Sequence, residues 1–228
     1  MCVVVGVGPG NGAAFVRRFA LEGYAVAMIA RSTETMRTLE TEVGARPYVC
    51  DVGDAAAVES SFASIRSDLG PVDLLVYNVG KAVFGTVEDL TPAAFEAAWR
   101  ANALGAFTAA RSVVPAMKAR SAGQIIFIGA TASRRGGARM AAFGSAKAAQ
   151  RMLAESLARS LGPVGIHVAL IVVDGIVNEP AMRARFADKP DAFFVKPEDV
   201  ADMALMLTKQ KRSAWTFELE ARPFGETW

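Results

Sequence analysis

The stretch "CVVVGVGPGNG", residues 2–12, decides the fold. Its continuous apolar run, with no alternation, reads as a strand covered on both faces. The run ends in Gly6, Gly10 and Gly12, a GxxxGxG spacing, and a stretch of helical period follows over 11–22. Glycine is needed where a strand turns sharply into a helix and a pyrophosphate must come close to the backbone. The helix then offers its free N–H groups and positive dipole end to that phosphate. A tight turn without a ligand would also use glycine. Placed after an N-terminal strand and before a helix, however, the pattern points to a dinucleotide. The residues expected to meet it here are Gly6, Gly10, Asn11 and Gly12.

Outward from that turn, short apolar runs alternate with longer helical stretches. Strands are expected over 2–7, 24–30, 46–50, 72–77, 124–129, 166–173 and 214–219, and helices over 11–22, 33–43, 54–69, 92–119, 138–161 and 198–208. Phe15 and Phe19, then Leu153, Leu157 and Leu161, keep the four-residue spacing of a buried helical stripe. Thr91 before Pro92, and Lys196-Pro197-Glu198-Asp199, mark helix starts. Such alternation predicts one α/β domain of the Rossmann type spanning 1–228, a doubly wound parallel sheet with helices on both faces. No repeat, low-complexity tract or linker divides the 228 residues.

The composition narrows the function. Apolar residues make up 52% and charged ones 21%, the balance of a soluble domain with a substantial core. A formal net charge of +2 gives no reason to expect nucleic acid or an anionic membrane surface. No apolar run approaches a membrane span, and no basic, apolar leader precedes the first strand, so a cytoplasmic protein is expected. Cys2 and Cys50 read as buried free thiols, and a single histidine makes a transition-metal site improbable.

The second strand ends in "IARS", residues 29–32. NAD-selective sites of this fold place an acid there to hold the ribose hydroxyls. Ala30 holds that position here, followed by Arg31 and Ser32. A guanidinium forks onto a phosphate, which a carboxylate would repel. NADP(H) is therefore expected over NAD(H), the alternative being that Arg31 is an ordinary solvated loop residue.

With several further motifs, the chain resembles the short-chain dehydrogenase/reductase family over nearly its whole length. "CDVGD" at 50–54 is similar to the family's turn beside the adenine, which implies that role for Asp51 and Val52. "YNVG" at 77–80 resembles its Asn-Asn-Ala-Gly motif, with Asn78 and Gly80 matched. Asn102 in "RANALGAF" matches the helix asparagine that holds a water in the family's proton relay, and Lys147 in "AAFGSAKAAQ" matches the lysine that binds the nicotinamide ribose. The resemblance implies hydride transfer between nicotinamide and a small carbonyl or alcohol, and a homodimer or homotetramer built on helices 92–119 and 138–161. In the family a tyrosine four residues before the lysine moves the hydroxyl proton. The lysine's ammonium lowers that tyrosine's pKa.

The departures lie in that machinery. Phe143 occupies the tyrosine position and Ala130 the serine position thirteen residues earlier. The seven-residue tyrosine–lysine spacing of the enoyl-reductase branch lands on Met140. Asp174-Gly175 stands near the family's Pro-Gly, so contacts to the nicotinamide amide from Ile176 and Val177 are less firmly implied. A single laboratory Tyr→Phe change would not account for Ala130, Asp174 and Tyr77 together, so a natural divergent branch is expected.

Several residues could substitute. Thr131 lies one past the serine position and could present its hydroxyl, or could simply cap the strand end. Ser133 shares its loop, and Ser145 is expected to bond within its own helix. Tyr77 is a conceivable acid but reads better as a packed strand aromatic, and His167 reads as structural. Lys147 could itself relay a proton through water held by Asn102.

Residues 178–195, "NEPAMRARFADKPDAFFV", fill the slot of the family's substrate lid. Met182, Phe186, Phe193 and Phe194 could line an apolar pocket, and Arg183 and Arg185 could meet an acidic group. A solvated basic helix face is the plainer reading, and Arg134 and Arg135 carry the same ambiguity. Two functions compete: an NADP(H)-dependent oxidoreductase with an altered proton donor, and a dinucleotide-binding sensor or partner subunit that has lost catalysis. Retention of Asn102 and Lys147 favours the enzyme. A third reading, other NADP-linked chemistry on the same scaffold, stays open because fold does not fix function.

Overall fold

Nearly every strand residue at the centre of the sheet is buried, which explains why the strands read as unbroken apolar runs. The computed structural model describes residues 1–225. In chain order the elements are β1 (Cys2–Val5), α1 (Asn11–Leu21), β2 (Val26–Ala30), α2 (Glu34–Val43), β3 (Arg46–Val49), α3 (Ala55–Leu69) and β4 (Leu74–Tyr77). There follow α4 (Pro92–Trp99), α5 (Gly105–Arg120), β5 (Gly123–Ala130), α6 (Ala141–Leu161) and β6 (Ile166–Val173). The last are β7 (Ile176–Val177), α7 (Pro180–Arg185), β8 (Phe194–Val195), α8 (Pro197–Thr208) and β9 (Glu218–Ala221).

Seven strands form one parallel sheet in the order β3-β2-β1-β4-β5-β6-β9. The order reverses between β1 and β4, and ligands of such sheets bind at the carboxyl ends of the strands there. Successive residues of β1 feed opposite faces. Val4 packs with Phe15, Phe19, Met36 and Val200 of α1, α2 and α8. Val3 and Val5 pack with Phe62, Val113, Met117 and Phe127 on the other side, against α3 and α5. Burial on both faces is what commits the sheet to parallel, helix-covered strands.

Three differences from the expected elements have local causes. The long helix expected over 92–119 is interrupted by a π-helical turn at Arg100–Leu104. Its start behaves as expected: Thr91 Oγ1 accepts from Ala94 N–H at 3.2 Å, with Pro92 in the first turn. The last strand begins at Glu218 rather than 214. Trp215 is stacked on His167 with ring centroids 4.8 Å apart, and Gln210 binds both the N–H and the hydroxyl of Thr216. Those side-chain bonds hold residues 215–216 off the ladder. Segment 178–195 is ordered by its own two-stranded sheet, in which Ile176 pairs with Phe194 and Val177 with Val195.

Candidate active site

The glycine turn is built by two sterically forced positions. Gly6 has φ +89°, a left-handed conformation, and a Cβ there would lie 3.0 Å from backbone atoms of Asn78 and Val79. A Cβ on Gly12 would lie 2.6 Å from the carbonyl oxygen of Gly6 and 2.7 Å from Val7 Cα, so the first turn of α1 rests directly on the turn from β1. Asn78 Nδ2 donates to that same Gly6 oxygen at 2.9 Å, which ties the end of β4 to the turn. Asn11, first residue of α1, is buried, and its Oδ1 finds no partner among the described residues. A buried acceptor without a donor is the mark of a site shaped for something else.

Beside the turn opens a crevice of about 480 Å³, lined by Gly6, Gly8, Arg31, Ser32, Asp51, Val52, Asn78 and Gly80, among others. It therefore brings together expected cofactor residues from the ends of β1, β2 and β4 and from the loop after β3. Asp51 closes a small turn there, its Oδ1 accepting from Gly53 N–H at 2.9 Å. Arg31 is exposed and has no hydrogen bond or ion pair among the described residues. Its guanidinium stays available to a ligand, in a crevice large enough for an adenosine.

Lys147, on α6, lies between the ends of two strands. Its ammonium is buried and donates to Val79 O and Ile128 O at 2.8 Å each and to Gln150 Oε1 at 3.0 Å. Burial pulls its pKa from the ordinary 10.5 down to about 7. Gln150, one turn further along α6, is wholly buried, and its Nε2 is unpartnered among the described residues. Sequence reasoning missed Gln150, although a glutamine three residues after a buried lysine on one helix face was a readable signal.

The π turn explains two other polar residues. The Ala101 carbonyl lies within it, and the buried Tyr77 hydroxyl donates to that oxygen at 2.5 Å. Burial raises the Tyr77 pKa well above its ordinary 10, and its hydroxyl is taken up by the Ala101 carbonyl, so the phenol reads as a structural tie. Asn102 lies in the same turn. Its Nδ2 donates to Ala98 O at 2.8 Å and to Lys81 O at 3.1 Å, leaving Oδ1 buried and without a partner among the described residues.

Phe143 packs edge-on against Phe84, ring centroids 5.7 Å apart, so its position is apolar as the sequence implies. Thr131 is not free: its hydroxyl donates to Asp174, which also accepts from Arg135 at 3.3 and 3.4 Å. Asp174 is buried beyond the end of β6, beside Ala130 and Thr131 at the end of β5. Nothing in its spacing marked it as a partner of Thr131, since β5 and β6 meet only in the fold. Ser133 donates to Ala130 O and Ser145 to Ala141 O, so both serve their own backbone. His167 donates to Thr216 O at 2.9 Å and is structural.

The basic residues of the loops are largely neutralised. Arg134 is held by Glu218 and Glu220 of β9. Arg183 bonds Asn178 and Asp191 and lies over the Phe194 ring, while Arg185 lies over Phe186. Phe186 and Phe193 pack on each other. The aromatics of segment 178–195 therefore pack on one another and on its arginines. Ile176 and Val177 form strand β7, and Val177 reaches the glycine turn, its Cγ1 lying 3.4 Å from where a Cβ on Gly10 would sit. Among the described residues no helix is long and apolar enough to cross a membrane, and no cluster of potential metal ligands occurs.

The family described as short chain dehydrogenase matches residues 1–190. A 2,3-dihydro-2,3-dihydroxybenzoate dehydrogenase of Bacillus subtilis (strain 168) is 29% identical over 227 residues, covering 90% of this chain and 87% of that one. A short-chain dehydrogenase from Rhodopseudomonas palustris superposes with a TM-score of 0.84 at 32% identity over 98% of each chain. A metagenomic short-chain oxidoreductase in complex with NADP gives a TM-score of 0.85 at 28% identity, over 98% of this chain and 96% of that one.

Proposed function

The chain belongs to the short chain dehydrogenase family, and from that premise we propose that it is an NADP(H)-dependent oxidoreductase that reduces a small carbonyl or oxidises the matching alcohol. One observation carries the choice of cofactor: the unpaired guanidinium of Arg31 lines the same crevice as the glycine turn. Gly6, Gly10, Asn11 and Gly12 would hold the diphosphate, Arg31 and Ser32 the 2′-phosphate, and Asp51 and Val52 the adenine. Asn78 and Gly80, with Ile176 and Val177 of the lid, would flank the nicotinamide side. The bound nicotinamide supplies a hydride donor or acceptor.

The chain's own residues must then hold the substrate oxygen and move its proton. Phe143 and Ala130 do neither. The hydroxyl of Thr131, bonded to the Asp174 carboxylate, supports an alternative route. In the oxidising direction Thr131 Oγ1 takes the alcohol proton as its own passes to Asp174, and in reduction both transfers reverse. Arg135 offsets the carboxylate charge in its deprotonated state. Lys147 bonds the carbonyls of Val79, after β4, and of Ile128 in β5, and exchange of one of these acceptors for a ribose hydroxyl would make it a binding residue. Asn102, bonded to Lys81 O, would hold a water of the relay. Exposed Phe95, Trp99 and Phe107 on α4, its end and α5 support a homo-oligomer on that face. We place the lid at 178–195 and read 1–228 as one functional unit acting in the cytoplasm.

NADPH consumption against a panel of small carbonyls, for the wild type and Lys147→Ala, tests this reading. Turnover by the wild type that falls at least about tenfold in the variant is expected. A wild type inert to the whole panel, though it binds NADPH, would return the chain to the role of a sensor.

A further inference from the structure

The lid places a carboxylate at the phosphate turn. A Cβ on Gly10 would lie 3.1 Å from Glu179 Oε2 and 3.3 Å from Glu179 Cβ. Gly10 is the N-cap of the eleven-residue α1, whose first turn contains no acidic residue and whose cap makes no side-chain bond. The positive end of this helix therefore lacks a negative partner of its own. Glu179, half-buried, has no hydrogen bond or ion pair through its side chain among the described residues. Glu179 is also the N-cap residue of the short α7 but makes no side-chain bond to it, and its carboxylate lies against Gly10 at the end of α1.

Its backbone is held firmly there. Glu179 N–H donates to Val177 O at 2.9 Å, and Asn178 N–H donates to Val195 O at 2.8 Å. Arg183 Nε donates to Asn178 Oδ1 at 2.7 Å while the same guanidinium bonds Asp191 and covers Phe194. The lid's own ties thus press one negative side chain onto the place that the glycine turn keeps clear for phosphate.

We propose that Glu179 sets the affinity of the phosphate cradle, acting in the ligand-free chain as a stand-in anion that a diphosphate must displace or tolerate. This rests on the dinucleotide reading above. If the carboxylate stays, two like charges share one helix N-terminus. If it leaves, its side chain must turn away and give up the favourable field of the α1 N-terminus. Both routes weaken binding, and both are relieved by removing the charge. The segment after β6 is thereby coupled to cofactor binding by charge as well as by shape.

The test compares the wild type, Glu179→Gln and Glu179→Ala by titration with NADPH, inorganic pyrophosphate and 2′-AMP. Glu179→Gln keeps the shape and loses the charge, and should bind NADPH and pyrophosphate on the order of tenfold more tightly. Glu179→Ala should follow it in sign. Raising the salt should narrow the gap between wild type and variant, because a charge effect is screened. Binding of 2′-AMP, which carries no diphosphate and is read at Arg31, should be equal in all three. Unchanged or weaker NADPH binding in Glu179→Gln overturns the inference while leaving the dinucleotide reading intact. A pyrophosphate gain without NADPH binding by any form overturns the dinucleotide reading and keeps the role of Glu179. Failure of both ligands on every form overturns both.

Discussion

Lys147 Nζ lies 2.8 Å from the carbonyl oxygen of Ile128, deep between helix α6 and strand β5. No carboxylate among the described residues is bonded to this ammonium, and burial lowers its pKa to about 7. In the unfolded chain the same lysine keeps its proton until about 10.5. Between these values the unfolded chain binds more protons, so the Lys147 contribution makes stability rise as pH increases from about 7 to about 10.5. Below pH 7 both states are protonated and this contribution is flat. Lys147→Met removes the dependence and leaves three acceptors unpaired. The variant should have a lower Tm throughout, with a shallower rise, or a steeper fall, between pH 7 and pH 10 than the wild type. Parallel Tm profiles would show that Lys147 does not titrate there.

Tyr77 is a tie between β4 and the π turn. Tyr77→Phe leaves the buried Ala101 carbonyl without its donor and should destabilise the protein by about 1–3 kcal/mol in urea denaturation. NADPH affinity and turnover should change less than about twofold at a temperature where the variant is folded. A large loss of kcat at unchanged stability would make the phenol a participant in the chemistry.

Gly12 is where α1 and the β1 turn touch. Its Cβ would meet Gly6 O at 2.6 Å, and backbone cannot rotate away as a side chain can. Gly12→Ala should weaken NADPH binding at least about tenfold by widening the cradle. Undiminished affinity, measured by quenching of the exposed tryptophan fluorescence or by calorimetry, would locate the phosphates elsewhere.

Thr131 and Phe143 separate the two proton routes. Thr131→Val keeps the shape, removes the hydroxyl from Asp174, and should reduce kcat on the order of 10²–10³-fold with NADPH affinity unchanged. Phe143→Tyr should alter kcat less than about tenfold, since the proposed route through Thr131 does not need a phenol. An inert wild type in which Phe143→Tyr restores turnover would support the non-catalytic alternative.

The parallel sheet was legible because its strands are buried on both faces and its turns carry glycine or proline. Phe15 and Phe19, read as a stripe, are both fully buried. Residues of the crevice were legible because the chain itself places them next to strand ends. What escaped depends on contacts between distant segments. Asp174 meets Thr131 across 43 positions, and Glu179 meets Gly10 from the segment after β7. The π turn could not be read from "RANALGAF", where Asn102 and Gly105 are weak helix formers but nothing marks an extra residue in the turn. It goes with tertiary contacts, since Tyr77 bonds Ala101 and a Cβ on Gly105 would run into the Tyr77 hydroxyl and the Val52 carbonyl. The shift of β9 has the same origin, since Trp215 prefers the His167 ring to the ladder.

Calorimetric titration of NADPH and NADH into the wild type and Arg31→Ala probes the account at its centre. A preference for NADPH of at least about tenfold in the wild type, lost in Arg31→Ala with NADH affinity unchanged, is the predicted result. Equal affinity for the two cofactors in the wild type, or an undiminished NADPH preference in Arg31→Ala, would contradict it.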